Sequence, residues 1–561
     1  MRRHLSRFPL PAMVALTCVA TASPGAAQRP APNAPAALEQ ALAYPTTDLI
    51  RGHLAFLADD ALEGRAPGTR GGRLAARYIA AQFAAVGLEP GAPNASYFQP
   101  VPLIGVTPTP SAVVGIGRRT VALEHGSEFV AWPIAGDSAV AVDAELVFVG
   151  YGVQATEWDW DDFKGQSVAG RILVMLANDP GLTDASRFEG RTMTYYGRWT
   201  YKLEQAARMG AVGAILIHSD ESATYGWNVV RSSWTGERFI LEDGASQTLR
   251  FGAWITEGAA ARLASETGRD FTALRRRAQQ PGFRPVSLGA HAAVHIRSTV
   301  RRFEGQNVIA RLPGADTAGR NDAVIFTAHY DHLGIGRPVD GDSIYNGAED
   351  NASGVATMLA AAAAFGRATT RPRRTLLFLA TTAEEAGLLG AESYARSPVV
   401  PLERTVAVVN LDRANLRGMA LDAVALGSDR SDLGASFARA AQDEGLTTAP
   451  DPSPQAGSFF RSDHFPFARA GVPVLSLRVP SRFANRPVEW GDEQEAQFLA
   501  SRYHQPSDEY RSAFDFAGAL QQARLLVRLG WLLGDSDEFP AWNPDAEFRM
   551  AGERLRRLRH R

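Results

Sequence analysis

Residues 324 to 354 read VIFTAHYDHLGIGRPVDGDSIYNGAEDNASG. The opening run, Val324 to Ala328, is apolar and bounded by polar residues, the pattern of a strand buried on both faces. Such a strand delivers His329 and Asp331 to its carboxyl end, the edge where open α/β sheets hold their chemistry. A histidine and an aspartate two apart are spaced like a metal ligand and the acid that orients it. Further on, Glu349 and Asp350 stand in a Gly- and Asn-rich turn, residues 347 to 354, just ahead of an Ala-rich helical run, Val355 to Phe365. A turn that feeds a helix can aim a carboxylate back at the strand end. By itself, a single H-x-D at a strand end more often marks a hydrogen-bonded pair than a metal site.

The same plan repeats downstream. Apolar runs at Thr375 to Thr381, Thr405 to Leu411 and Pro473 to Leu477 are each bounded by turn residues, and helical patterns stand at Ala386 to Ala395 and Leu433 to Glu444. Strands alternating with helices specify an α/β fold with a doubly wound, mostly parallel sheet. A last helix carries Leu525, Leu526, Leu529, Leu532 and Leu533, a stripe that must face a core. Upstream, Leu54 to Leu62 and Leu74 to Val86 read as helices around the loop EGRAPGTRGG, residues 63 to 72. Strand character follows at Ser96 to Val101. This opening fragment has too little apolar surface to fold alone and is expected to pack on the later domain. Between about residues 108 and 298 the texture becomes β-like, with short runs at Glu145 to Val149, Ile172 to Leu176 and Val212 to His218 and one helix at Tyr201 to Met209. The acids of EWDWDDF, residues 157 to 163, have no histidine beside them and read as a solvated loop.

The chain is 561 residues long with 45% hydrophobic and 21% charged residues, ordinary values for a multidomain globular protein. A formal net charge of -2 leaves no electrostatic footprint for nucleic acid or anionic lipid. Arg2, Arg3 and Arg7 precede an apolar run, Ala12 to Ala22, and the small-residue site Gly25-Ala26-Ala27, so residues 1–27 read as a cleaved signal peptide and the product as secreted or periplasmic. The single cysteine, Cys18, lies in that segment, so no cysteine-based site is expected in the remainder. No other apolar run is long enough to span a bilayer.

Four more residues complete the pattern at the sheet edge. Glu384 and Glu385 follow the strand LLFLATT, Asp412 follows VAVVNL, and His504 lies in RYHQPSDEY ahead of the last helix. Two histidines and four acids beyond successive strands suit a pair of divalent ions: the metals lower the pKa of a shared water and polarise a scissile carbonyl, and a carboxylate outside the ligand set moves the proton.

With HYDHLG, GAEDNASG, TTAEEAG, NLD and YHQPSD in this order, the chain resembles the co-catalytic zinc exopeptidase family, which includes secreted bacterial aminopeptidases, glutamate carboxypeptidase and the catalytically inactive transferrin receptor. The stretch from GYGV through WDDFKGQSVAGRILVMLANDPG to YYGRWTYKLEQAARMGAVGAILIH resembles that family's inserted protease-associated (PA) domain. The expected organisation is a signal peptide (1–27), an N-terminal segment of the peptidase domain (28–125), a β-rich PA domain (126–298), the zinc peptidase domain (299–535) and a tail (536–561) lying along the surface or fraying. The resemblance implies two zinc ions per chain, one held by His329 and Asp412, the other by Glu385 and His504, with Asp350 bridging. It further implies that Glu384 is the general base, that Asp331 orients His329, and that the Asp350-Asn351 peptide is cis.

Departures from the pattern are Glu349, where the family often has Asp, and RANLRG after Asp412, where many members have an apolar run. Ser462-Asp463-His464 and His332 are expected to support the site without ligating. The implied substrate is a peptide, and the leading expectation is an aminopeptidase. Arg413, Arg417, Arg461 and Arg478 keep a glutamate carboxypeptidase-like activity open. Glutaminyl cyclisation, and a transferrin receptor-like binding protein without catalysis, are the remaining readings. The PA domain is free to cap the cleft, to bind substrate or to mediate a homodimer.

Overall fold

In the computed structural model, which describes residues 34–242 and 248–560, Ala323–His329 (β1) is a strand buried along its whole length. Its side chains alternate between two cores, as the period of two requires. Val324, Phe326 and Ala328 join one apolar cluster, and Ala323 and Ile325 join another. β1 lies between Thr375–Thr381 (β2) and Thr405–Leu411 (β3), parallel to both. Asp422–Leu426 (β4) and Val474–Leu477 (β5) extend the sheet, β5 parallel to β3 and β4 antiparallel to β5.

The sheet is therefore mixed and mostly parallel, with helices on both faces. Ser353–Arg367 (α1) and Ala517–Asp535 (α3) cover one face, and Leu389–Arg396 (α2) with Phe465–Ala470 covers the other. Of the leucine stripe on α3, Leu525, Leu526, Leu529 and Leu533 are buried, and Leu532 packs against the same cluster from its edge. Each such leucine contributes roughly 2 kcal/mol by leaving water. β4 and the helix Trp490–Ser501 are not marked by the sequence pattern, the first because Asp422 opens it and leaves a shorter apolar run, Ala423 to Leu426, the second because only Gly491 and Phe498 of its residues are buried.

The N-terminal helices dock on this unit, as expected of a fragment with little core of its own. Ile50, Leu54 and Leu57 of Thr47–Leu57, and Ile79 and Phe83 of Arg70–Ala85, join the cluster under α1. The first helix begins earlier than its apolar pattern suggests because Thr46 caps it, accepting a hydrogen bond from Leu49 N.

A two-stranded ribbon leads from here to a second unit. Phe98–Ile116 and Val286–Leu312 pair antiparallel from Phe98↔Val308 to Gly115↔His291. At one end Val286–Leu312 pairs with β2; at the other it pairs with Ala139–Phe148, which begins a sheet continuing through Ile172–Leu176, Gly213–His218, Phe251–Thr256 and Phe129–Pro133. Residue 298 thus lies inside a strand common to both sheets. The second unit has its own apolar core, which includes Phe148, Ile217, Phe251 and Leu274.

Two expectations need correction. Asp162 is not solvated: it is buried, accepts hydrogen bonds from Val153 N (3.0 Å) and Trp160 Nε1 (2.9 Å), and lies in the field of Lys202. Lys202 is itself buried, its Nζ donating to the carbonyls of Tyr151 and Asn178. The C-terminal tail does more than lie along the surface. Trp542 and Phe548 are buried in the core beside α2, Trp542 Nε1 donates to Gly471 O at 2.9 Å, and Arg549–Arg559 is helical. Among the described residues no helix is long and apolar enough to cross a membrane, and residues 1–27, with their expected signal sequence and Cys18, lie outside them.

Candidate metal centre

Parallel register places four candidate side chains at one edge. His329, the last residue of β1, is level with Thr381 at the end of β2, just ahead of Glu384 and Glu385, and Asp412 directly follows β3. Asp350 reaches the same edge from the turn before α1. There the Asp508 carboxylate accepts hydrogen bonds from Glu349 N (2.9 Å) and Asp350 N (3.0 Å). Gly347 enters the turn at φ +58°, and a Cβ on it would meet Asp350 O at 2.2 Å and the His332 ring. The Asp350-Asn351 peptide is cis. Asn351 then ties the turn to the end of β3, donating to Leu411 O (3.0 Å) and accepting from Arg413 N (2.9 Å). His504 arrives from the loop after Trp490–Ser501 with its ring stacked on Tyr503, centroids 3.8 Å apart.

The six side chains converge. His329 Nε2 lies 3.3 Å from Asp350 Oδ1, 3.6 Å from Asp412 Oδ1 and 3.9 Å from Glu384 Oε2. His504 Nε2 lies 3.5 Å from Asp350 Oδ2 and 3.0 Å from Glu385 Oε2. Asp350 therefore presents one oxygen to each histidine, the disposition of a carboxylate shared between two positions. His329, Asp350 and Asp412 form one group able to hold a metal ion, and Glu385 belongs to others. Nitrogen and carboxylate donors of this kind suit zinc.

The electrostatics favour a cation. Burial opposes charge on His329, yet Glu384, Asp350 and Asp412 push its pKa well above the usual imidazole range. Burial is likewise overcome at His504, chiefly by Glu385. Burial would raise Asp350, but its bonds to His329 and His504 hold it well below the usual carboxylate range. Glu384 is raised, first by burial and then by Glu385 and Asp412, with His329 opposing. Four carboxylates around two imidazoles thus attract positive charge, which a divalent ion supplies while leaving the imidazoles neutral as ligands. His504 Nε2 has no hydrogen-bond partner in good geometry although it is buried, as a nitrogen reserved for a metal would be.

Asp331 supports the site differently from the expectation. Its carboxylate is 3.9 Å from His329 Nδ1, too far for a hydrogen bond; the near acceptor is its own carbonyl at 3.2 Å. The carboxylate instead accepts from Glu384 N (3.1 Å), so Asp331 fixes the imidazole through its backbone and Glu384 through its side chain. His332 lies near enough to Asp350 and Glu385 to be a donor, but its Nδ1 is engaged by Glu385 Oε1 at 2.6 Å and so orients that carboxylate. His464 is fully buried against Phe459, and burial lowers its pKa to about 3.

Three further side chains brace these segments. Arg65, in the EGRAPGTRGG loop, is buried and donates to the carbonyls of Tyr330, Asn346 and Gly347, bracing β1's end against the Asp350 turn. Asp508 holds that turn as described, and Asp463 accepts from Thr381 Oγ1 at the end of β2. The arginines after Asp412 are likewise engaged. Arg413 makes a bidentate pair with Glu495 (2.7 and 2.9 Å), and Arg417 reaches the same carboxylate at 3.0 Å.

Comparison with known proteins converges on the same residues. Residues 307–527 match the model of peptidase family M28. All five candidate ligands and Glu384 lie within these matched residues. A 142-residue stretch is 30% identical to the vacuolar membrane protease of Pyrenophora teres f. teres (strain 0-1), covering 24% of this chain and 14% of that protein. A 140-residue stretch is 31% identical to aminopeptidase NAALADL1 of Mus musculus, covering 24% of this chain and 17% of the relative. The matches thus span less than a fifth of the length of these curated relatives. The aminopeptidase from Aneurinibacillus sp. strain AM-1 shares the fold, with a TM-score of 0.51 and 21% identity over 90% of this chain and 97% of that one.

The shared carboxylate gives the first expected outcome. An Asp350→Ala chain should retain no zinc after dialysis; elemental analysis showing the parent's stoichiometry would exclude a bridging role. Glu495 gives a pH dependence. Burial alone would raise its pKa, but Arg413 and then Arg417 hold it far below the ordinary 4.5. The ionised pairing therefore stabilises the fold above the unfolded value and is lost as pH falls towards the folded one. The difference in unfolding free energy between the parent and Glu495→Gln should be constant above about pH 5.5 and close below about 4.5. Denaturant unfolding across that range measures it.

Proposed function

We propose that the chain is an exported, zinc-dependent exopeptidase, an aminopeptidase working with two metal ions. The observation that carries this reading is Asp350, whose two oxygens face His329 and His504 separately. His329, Asp350 and Asp412 would hold one ion, and Asp350, Glu385 and His504 the other. Such a pair of ions, when bound, polarises a peptide carbonyl and acidifies a water. Glu384 is the group left to accept that water's proton and return it to the leaving nitrogen, and Asp331 holds its backbone in place. A donor set complete with this glutamate favours an enzyme over a binding protein that has kept only the fold. Export to the periplasm or medium rests on residues 1–27, and assignment of the second unit as a PA domain rests on its sequence resemblance.

Two features bear on which peptide end is recognised. An ammonium group suits the acidic rim of this centre, and Arg413 and Arg417, which could have met an α-carboxylate, are already paired with Glu495. The carboxypeptidase reading is favoured by another pair. Arg198, from the second unit, feels the charge of Arg461, and its buried Nε has no partner; Arg461 lies over the Tyr225 ring at 5.9 Å, and both guanidiniums influence or are influenced by Tyr503, the neighbour of His504.

A panel of peptides with free or acetylated N-termini and free or amidated C-termini separates the two. The aminopeptidase reading expects acetylation to abolish cleavage and amidation to leave the first residue's release intact; the reverse pattern would overturn it. Independently, Glu384→Gln should bind as much zinc as the parent while kcat/KM falls by about 10²–10⁴-fold. Retained activity on Leu- and Ala-anilides would remove Glu384 from the base role.

A further inference from the structure

The charged residues behind the metal ligands form a connected set that the reaction does not use. Glu349 immediately precedes Asp350, Arg413 immediately follows Asp412, and Arg502 stands two residues before His504. Glu349 is almost fully buried and pairs through Oε1 with Arg502; its Oε2 lies 3.8 Å from Arg413 and 3.7 Å from Arg417. Arg413 and Arg417 continue to Glu495 on the helix Trp490–Ser501. From the same helix the buried Phe498 ring lies under both guanidiniums, 3.7 Å from Arg413 and 5.2 Å from Arg502.

We propose that Glu349 is a positioning residue for the metal centre: through Arg502, Arg413 and Arg417, and with Glu495 behind them, it sets the chain segments carrying Asp350, Asp412 and His504 against one another. This inference rests on the metal-binding reading above.

Burying Glu349 and Arg413 and partly covering Arg417, Arg502 and Glu495 is costly, and an apolar filling of the same volume would hold these segments together at least as tightly. Ion pairs add fixed orientation: the two ends of the Arg413 fork each donate to a different oxygen of Glu495, and Glu349 offers different oxygens to Arg502 and to the arginines after Asp412. The hydrogen bonds of this region fix only parts of the same geometry. Ser353 Oγ donates to Glu349 O (2.7 Å) and accepts from Ala414 N (2.8 Å), which registers the Asp350 turn against the segment after Asp412. That turn is joined to the His504 loop by the Asp508 carboxylate, which accepts from Glu349 N and Asp350 N, and, away from the ligands themselves, by the ion pair of Glu349 with Arg502. Arg413 also holds a left-handed backbone, φ 69°, which its paired and stacked side chain keeps in place.

The test compares the parent with Glu349→Gln, Glu349→Asp and Glu495→Gln, each loaded with zinc. The rate at which dipicolinate strips the zinc is followed beside kcat, KM and thermal unfolding of the zinc-free chains. Glu349→Gln is expected to release zinc about 10-fold faster or more and to lose kcat by a similar factor with little change in KM, and Glu349→Asp to recover most of both. Glu495→Gln should move the same quantities in the same direction by less, and it carries the test should Glu349→Gln fail to fold. A contribution to stability alone would lower the unfolding temperature of the zinc-free chain and leave zinc release at the parent's rate, and that result overturns the proposal. A parent that takes up no zinc overturns the metal reading itself, and this inference with it.

Discussion

Mutual repulsion among Asp350, Glu384, Glu385 and Asp412 is the constraint that the rest of the molecule answers. Two like charges about 4 Å apart repel by roughly 4 kcal/mol at the effective dielectric of a protein surface. A fold that gathers four of them needs rigid supports to keep them from splaying. The parallel sheet supplies the first of these, because β1 and β2 are paired to their last residues, His329 and Thr381, and β1 and β3 are paired as far as Thr327 and Asn410. Asp508 supplies the second by taking both amides of the Glu349-Asp350 segment. Arg65 supplies the third, setting a buried positive charge behind the carbonyls of β1's end and of the Asp350 turn.

What the sequence discloses and what it hides divide along a physical line. Strand ends are legible because an apolar run of five to seven residues has one natural reading between turn residues, and the ligands stand just past those ends. Glu384 and Glu385 were separable as neighbours only through the family resemblance, since adjacent acids look alike in a string of letters. Arg65 was out of reach for a different reason. Its partners Tyr330 and Gly347 are 265 and 282 positions away, and no local pattern marks a side chain whose environment is assembled from so distant a part of the chain. Asp162 misled in the opposite sense: a run of acids beside tryptophans looks solvated, but the neighbouring Lys202 is buried too, and each makes the other's burial tolerable. The tail looks peripheral in the sequence, whereas its anchor is the aromatic pair Trp542 and Phe548.

The two units meet around the centre as well as through the ribbon. Arg469 of the first unit pairs with Glu204 of the second (2.7 Å) and with Glu392 on α2, and Arg430 lies between Glu189 and Glu547. Tyr195 of the second unit packs on Phe460 and Phe465, close to Arg461 and the segment that carries Asp463 and His464. The second unit is thus held to the first by ionic and aromatic contacts.

The strand common to both sheets also limits how this architecture can vary. Val286–Leu312 pairs with β2 at one end and with Ala139–Phe148 at the other, without a break in the ribbon between them. Side chains along a strand alternate faces, so inserting or deleting one residue in that span would invert the inward and outward sets of one sheet relative to the other. Lineages that lengthen or shorten the molecule are therefore expected to do so in surface loops and to conserve the spacing of this strand, making its length a more durable signature than its composition.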